Sequence, residues 1–593
     1  MSFNRGHGLH LIPKNESSTK ASWITRKAWR IAFCLSVVVG VVSARFLVWE
    51  LRSAHFHAIS REAGSVAEFW GQVSPNHAGT ALVYQQSVEN GVGVFFAQIP
   101  GGNGKLLYEL PEKYAIRNRG ALNLNVWGWA ADDSLFAFSR LNGPGRELII
   151  CNGRSGAPER DAKVNRQIKD LVWLGSDALA FVNDENNLYF WRAGNESRGS
   201  RVSSFVRKGR TKPDISVRSL VALGNDTVAW QDGSAIWSWR FGAESPRRIW
   251  RGENRDIVDM GLSPDGQMFL LRLKDRNMET VAGVPVDGGE MEELAQFKAL
   301  EGQTIKNQIV WWGAGFARAW GGVWQHSVFV YPHYGDKPQE LWFPGGIISY
   351  SASGNSLYLV GSRGGEPLGV WRYTVGQVEP TCVLSNSFPR YQVALPVAPE
   401  RKEFLAKNGT TIVYWLWTPP GIEPGSKHPL LLGGPCWGWD SYRSAVVNGG
   451  AYVVNIDRDD WYSDWTVGVP ELMQYLRDSL PLDDARCYLF GTSAQVQYAS
   501  HLLVEYPEIC KGELMFSPGG MGPSLKGLQG HGLFMDCGAD DVITAGVLKY
   551  RDSAFRNGVV VTTIVHQDAE HTYRSIRSVR SRDEAVMKFV FGY

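Results

Sequence analysis

From residue 62 to residue 395 the chain repeats one pattern: a short apolar strand, a turn of Gly, Asn, Asp or Ser, a second apolar strand, a polar loop and an aromatic-rich third strand. ALVYQQS followed by GVFFAQI is one instance; SLFAFSR with ELIICNG, ALAFVND with NLYFWRA, and TVAWQDG with AIWSWRF are others. Further copies begin at Met260, Ile309 and Ser349. That makes seven units, with starts about 40 to 55 residues apart, the period of four-stranded propeller blades. The pattern predicts a seven-bladed β-propeller; two β-sandwiches are the alternative that also spaces strands regularly. Trp and Tyr at strand positions are expected in the core between blades rather than around a ligand.

Past Pro396 the period changes. The extended segments TIVYWLWTP, PLLLGG, AYVVNID, RCYLF, ELMFS, GLFMDCG and VVVTTIV alternate with helical patterns near 469–480, 494–505, 545–557 and 574–591. Strand and helix in alternation predict one α/β domain over 400–593, an open and mainly parallel sheet with helices on both faces.

Near the amino terminus, residues 31–49 read IAFCLSVVVGVVSARFLVW, with Arg45 as the sole charge. As a helix this run spans roughly 28 Å, close to the hydrocarbon thickness of a bilayer, and Arg45 lies where its stem reaches the head groups. Arg5, Lys14, Lys20, Arg26, Lys27 and Arg30 precede it against Glu16 alone. The positive-inside rule therefore makes 1–30 a basic cytoplasmic tail and 31–49 a transmembrane signal anchor, with the propeller and α/β domains extracytoplasmic. A signal peptide cleaved near Val42-Ser43-Ala44 is the competing reading, and it too exports the body of the protein.

Composition narrows the function. Lys and Arg total 61 against 59 Asp and Glu, which leaves no broad positive field for nucleic acid. Seven scattered cysteines contain no C-x-x-C pair, so neither a zinc knuckle nor a dense disulfide framework is expected, and one bridge at most. Asp457, Asp459 and Asp460 read as a solvated loop rather than a metal site. Arg574, Arg577, Arg580 and Arg582 read as an exposed basic helix face. Asn195, Asn225 and Asn408 head N-x-S/T triplets, which matter only in a glycosylating host.

The chemistry concentrates at Gly491-Thr492-Ser493-Ala494-Gln495, which follows the strand 486–490 and opens a helix. In that context G-x-S-x-G forms an elbow that lifts the serine oxygen out of the carboxyl edge of the sheet. A serine needs a base, and the base an orienting carboxylate, downstream in the order Ser, Asp, His. Asp540, with Asp541 as its alternative, follows the strand GLFMD; His571 lies between the last strand and last helix, and His566 is the other downstream histidine.

Taken together, HPLLLGGPCWGW, NGGAYVVNID, GTSAQ, GADDVI and DAEH occur in the order of the prolyl oligopeptidase family, and the carboxyl domain resembles the peptidase domain of its dipeptidyl-peptidase branch. A propeller before the hydrolase, and an anchor before the propeller, fit that branch as well. The resemblance implies Ser493 as nucleophile, Asp540 as orienting carboxylate, His571 as general base and the Ala494 N–H as an oxyanion donor. It implies a short peptide substrate, no metal or organic cofactor, and is compatible with a homodimer.

Two departures bear on activity. Gln495 stands where the family has glycine, and a side chain there crowds the tight turn. Leu432 stands where the family has a tyrosine oxyanion donor, and the loss of one donor costs about 2.7 to 4 kcal/mol of transition-state stabilisation. The segment from Ser493 to Asp540 is also short for the family. The reading that results is a membrane-anchored serine peptidase. An esterase with the same triad, and an impaired pseudo-peptidase acting as an extracytoplasmic binding or accessory protein, are the alternatives.

Overall fold

The structure is a computed structural model that describes residues 70–592 apart from short internal stretches, among them 112–126, 193–199, 204–216, 299–308, 321–326, 386–398, 435–440, 457–464 and 571–574. The tail 1–30 and the candidate anchor 31–49 lie outside the described residues; among the described residues no helix is long and apolar enough to cross a membrane.

From Trp70 to Ser385 the chain forms seven consecutive four-stranded antiparallel sheets. The first strands of successive sheets are Trp70–Pro75, Trp127–Trp129, Ile168–Leu174, Val217–Ala222, Asp256–Leu262, Ile309–Trp312 and Ile347–Ser353. Where one sheet faces the next, apolar side chains fill the gap, as with Val83, Val94 and Phe96 of the first against Trp129, Phe136 and Phe138 of the second. Leu82, Tyr84 and Phe95 of the first sheet share a core with Tyr358, Val360 and Val370 of the last, so the arrangement returns on itself as a propeller-like ring. The two-sandwich alternative is thereby set aside, because each sheet packs against both of its neighbours rather than against one partner.

Polar side chains stitch the same seams. The indole N–H of Trp129 donates to the Ser74 carbonyl at 3.2 Å and that of Trp173 to the Gly128 carbonyl at 2.8 Å, so aromatic bulk and a directional bond act together. Asp170 is half-buried and accepts from the N–H of Leu171 at 2.9 Å and from that of Leu220 on the next sheet at 2.7 Å. Burial pushes its carboxyl up to about 6 against the downward pull of those two bonds. Asp259, on the sheet after that, accepts from Ser219 Oγ at 3.3 Å. Ser353 Oγ closes the ring by donating to the Asn76 carbonyl at 2.7 Å.

The carboxyl domain contains β1 (Glu400–Leu405), β2 (Thr411–Trp417), β3 (His428–Gly433), β4 (Tyr452–Ile456), β5 (Leu482–Thr492), β6 (Gly512–Phe516), β7 (Gly532–Gly538) and β8 (Val560–His566). They form one sheet in the order β1-β2-β4-β3-β5-β6-β7-β8, parallel from β4 to β8 with β1 and β2 antiparallel. The helices are α1 (Ser441–Asn448), α2 (Trp465–Ser479), α3 (Gln495–Glu505), α4 (Thr544–Arg556) and α5 (Ile576–Phe591). Strand β1 and helix α1 were not expected from the sequence, being short and without a marked period. One face of the sheet meets α2, α3 and α4 through Leu472, Leu476, Val496, Leu502 and Val547. The other face meets α5, whose Phe589 ring lies 5.1 Å from that of Tyr488 and 5.7 Å from that of Phe534.

Helix α5 corrects one expectation. Arg582 is not part of an exposed basic face: it is buried and donates to Asp583 Oδ1 at 3.0 Å, while Arg574 lies outside the described residues. The propeller-like ring meets the carboxyl domain through Trp342 stacked on Trp415 at 6.4 Å and through the Arg577 N–H donating to the Glu89 carbonyl at 3.2 Å. Cys487, Cys510 and Cys537 are buried free thiols. Asn225 and Asn408 lie on exposed turns, and Asn195 is outside the described residues.

Asp170→Ala strips the acceptor from an N–H on each of two adjacent blades. It is expected to lower stability by about 1 to 3 kcal/mol, read as a shift of the denaturant midpoint with an unchanged slope.

Candidate active site

The elbow forms at the carboxyl end of β5. Gly491 is required there by space, because a Cβ on it would come within 2.7 Å of the Val496 nitrogen. Ser493 then takes a φ of 57°, a left-handed conformation that costs a non-glycine residue about 1 to 3 kcal/mol. Its N–H donates to the Phe516 carbonyl of β6 at 3.0 Å, which holds the turn against the sheet. The chain enters α3 two residues later, and Ala494 precedes the helix with no side-chain cap. Ser493 is left half-buried and Ala494 exposed at the sheet edge.

Gln495 does not disturb this turn. Its side chain is buried, and its Oε1 accepts the Thr492 N–H at 3.2 Å, so the amide folds back and caps the end of β5. Val496, in the first turn of α3, points into the core of the domain. Leu432 stands differently: it is 0% exposed within β3, between Val454 and Leu489, and offers no donor.

The turn after β7 carries the two candidate acids. Asp541 is buried and its Oδ1 accepts the Ile543 N–H at 3.2 Å, which commits it to the start of α4. Asp540 is exposed, and its own N–H donates to the Ala569 carbonyl at 2.8 Å. That bond ties the acid turn to the loop that leads to His571. His571 itself lies outside the described residues. The loop is anchored again beyond it, where Ser575 caps α5 by accepting the Ser578 N–H at 3.2 Å.

His566 is excluded as the base for Ser493. Its Nε2 lies 2.6 Å from Asp536 Oδ1 with both side chains buried. It also belongs to β8, three strands from the elbow, or about 14 Å at the usual strand spacing. The Asp536–His566 pair escaped the sequence reading because nothing in the spacing of two residues thirty positions apart announces that their strands are adjacent. A second buried group, Glu513 on β6, accepts from Ser500 Oγ of α3 at 2.8 Å, and burial pushes its carboxyl up to about 8. It too was unremarked, since a lone Glu in ELMFS carries no motif. The glycines of Ser517-Pro518-Gly519-Gly520 were also passed over, although Gly519 lies directly against Ser493.

No family model matches the sequence, and no curated protein matches it. Solved structures do share its fold. A prolyl endopeptidase superimposes with a TM-score of 0.62 at 13% identity, over 91% of this chain and 91% of its own. A puromycin-hydrolyzing peptidase from Mycobacterium tuberculosis gives 0.64 at 14% identity over 89% and 95%. The acylaminoacyl peptidase of Pyrococcus horikoshii gives 0.57 at 12% identity over 88% and 95%. The fold implied by the resemblance in the sequence is the fold of these proteins, propeller and hydrolase together.

Two predictions concern the buried groups. His566→Leu leaves the Asp536 carboxylate buried without its partner and is expected to cost about 3 to 5 kcal/mol of stability, measured by chemical denaturation. Glu513 has a folded pKa raised above its unfolded value, so the stability it contributes is fully present below the ordinary carboxylate range and is lost as pH rises through about 8. Glu513→Gln keeps the acceptor for Ser500 and removes the titration. The melting temperature of the variant is expected to match the parent near about pH 5 and to exceed it increasingly towards about pH 9.

Proposed function

We propose that the chain is a serine peptidase of the prolyl oligopeptidase type, acting on short peptides through Ser493, His571 and Asp540. The observation that carries this reading is the left-handed φ of 57° at Ser493, on a strand-to-helix turn with its side chain accessible. A serine held in that conformation is strained, and strain of this kind is retained where it positions a group for chemistry. The peptidase names of the proteins that share the fold point the same way.

In the proposed reaction Ser493 Oγ attacks the scissile carbonyl while His571 takes its proton, and the electron pair of the carbonyl moves to its oxygen. The Ala494 N–H stabilises that oxyanion. Collapse of the tetrahedral intermediate breaks the C–N bond, with His571 returning the proton to the leaving amine, and water then repeats the sequence on the acyl-enzyme. Asp540 keeps the imidazole in the required tautomer; its exposed carboxylate and the Asp540 N–H to Ala569 bond support this assignment over Asp541, whose carboxylate is occupied at α4. The run at 31–49 anchors the protein, with the amino terminus cytoplasmic and both domains outside.

The alternative, an impaired hydrolase that serves as a binding or accessory protein, is favoured by Leu432, which supplies no second oxyanion donor. Labelling of the full-length protein in detergent with a fluorophosphonate probe separates the two. Labelling is expected, with none in Ser493→Ala; a folded protein that stays unlabelled leaves only the accessory role. For turnover of a fluorogenic aminoacyl amide, Ser493→Ala and His571→Ala are expected to lose about 10⁴- to 10⁶-fold in kcat, and Asp540→Asn about 10⁴-fold. Asp541→Asn is expected to stay within about tenfold of the parent, because its carboxylate serves a helix terminus.

A further inference from the structure

The sheet of the carboxyl domain ends at β8, whose one neighbour among the described strands is β7. A strand at the edge has a hydrogen-bonded ladder on one side only, so side chains must do more to fix its position. Burial along β8 is uneven: of its seven residues only the last, His566, is buried, while Val560 at its start is 62% exposed.

His566 holds that end of the strand in two ways. Its Nε2 lies 2.6 Å from Asp536 Oδ1, with the ring N–H donating to the carboxyl, and its carbonyl accepts the Ala539 N–H at 2.8 Å. The residue opposite His566 in the register is Gly538, which puts no side chain in the way, and the imidazole reaches back to Asp536 two residues earlier on β7. Asp536 is 0% exposed and its Oδ2 has no partner among the described residues, so its carboxyl depends on His566.

Past the ends of the strands the same two segments stay joined, because the Ala569 carbonyl accepts the Asp540 N–H at 2.8 Å. Ala539 and Asp540, the first residues after β7, therefore both hang by their N–H groups from the β8 side. A slide of the end of β8 would carry both acceptors with it and displace Asp540. Apolar burial is non-directional and resists separation better than sliding, whereas a short hydrogen bond between two buried side chains fixes register as well.

We infer that Asp536 and His566 are positioning residues for the proposed hydrolysis: their bond pins the end of β8 and thereby sets the place of the Asp540 carboxyl. This rests on the serine hydrolase reading and deepens it. Neither side chain takes part in the chemistry, and both act through Asp540.

The test is the rate of phosphonylation by an alkyl fluorophosphonate, measured on the full-length protein in detergent below every melting midpoint, with folding followed by circular dichroism. In that step Ser493 Oγ bonds to phosphorus, fluoride leaves and the serine proton passes to the base. Asp536→Ala/His566→Leu removes both polar groups together, so no buried carboxyl is left without its partner. Its folded form is expected to label about a hundredfold more slowly than the parent, the scale on which a misplacement of about 1 Å acts on a reacting group. His566→Gln, whose amide N–H can replace the ring N–H as donor, is expected to stay within about fivefold of the parent. Added to Asp540→Asn, the double replacement is expected to cost less than about threefold, because the group it positions is already disabled.

Labelling of the folded double variant within about threefold of the parent overturns the inference alone and leaves the pair a stability device. So does a loss of about a hundredfold on top of Asp540→Asn, which would place the effect elsewhere than at Asp540. His566→Gln as slow as the double variant overturns it too, since the bond would then not be what matters. Asp536→Asn/His566→Met, closer in size to the parent, is judged by the same comparisons where the first pair does not fold. Failure of both to fold makes the pair a requirement of folding and overturns the positioning role. An unlabelled parent overturns the hydrolase reading and this inference with it.

Discussion

The hydrogen bond from the Ser493 N–H to the Phe516 carbonyl joins the left-handed turn after β5 to the sheet of the carboxyl domain. Without it the left-handed serine has no reason to hold its conformation, and the chain would enter α3 by a wider path. The bond exists because β5 and β6 are parallel and in register, Thr492 beside Phe516, so that the residue after one strand end meets the last carbonyl of the next. Gln495 and Val496 reinforce the same turn, one by accepting the Thr492 N–H and the other by anchoring the first turn of α3 in the core. The strain of about 1 to 3 kcal/mol at Ser493 is offset locally by these contacts.

Two of the domain's buried polar pairs involve neighbouring strands of the same sheet. Glu513 on β6 joins α3 through Ser500, and Asp536 on β7 joins β8 through His566. Each links an element that bears a candidate catalytic group to the next element of the sheet. Such pairs contribute little net stability when intact and cost much when one partner is lost, so their effect is to hold one arrangement against its neighbours. The Asp540 N–H to Ala569 bond continues the row, keeping the acid turn beside the histidine loop.

The propeller obeys a different constraint. A four-stranded antiparallel sheet of short strands is marginal alone, and each blade here gains its core only by facing two others. Aromatic side chains supply the area between blades, and Trp129, Trp173, Asp170 and Ser353 supply directional bonds across it. The stack of Trp342 on Trp415 carries this ring onto the second strand of the hydrolase.

What could be read from the residues alone was whatever repeats or is local. The blade period, the change to alternating strands and helices past Pro396, the GTSAQ elbow and the acid turn at Asp540 are all patterns within a few residues or at a fixed spacing, and they lead to the propeller-like fold with its hydrolase. Other features depended on which strands become neighbours. That Leu432 is sealed between β4 and β5, that Gln495 closes the elbow rather than opening it, that Arg582 is buried, that His566 belongs to Asp536 and that Gly519 lies against Ser493 are facts of register and approach between distant segments. Linear spacing carries no record of those distances, because a parallel sheet pairs strands through crossovers whose length is unrelated to the contact they create.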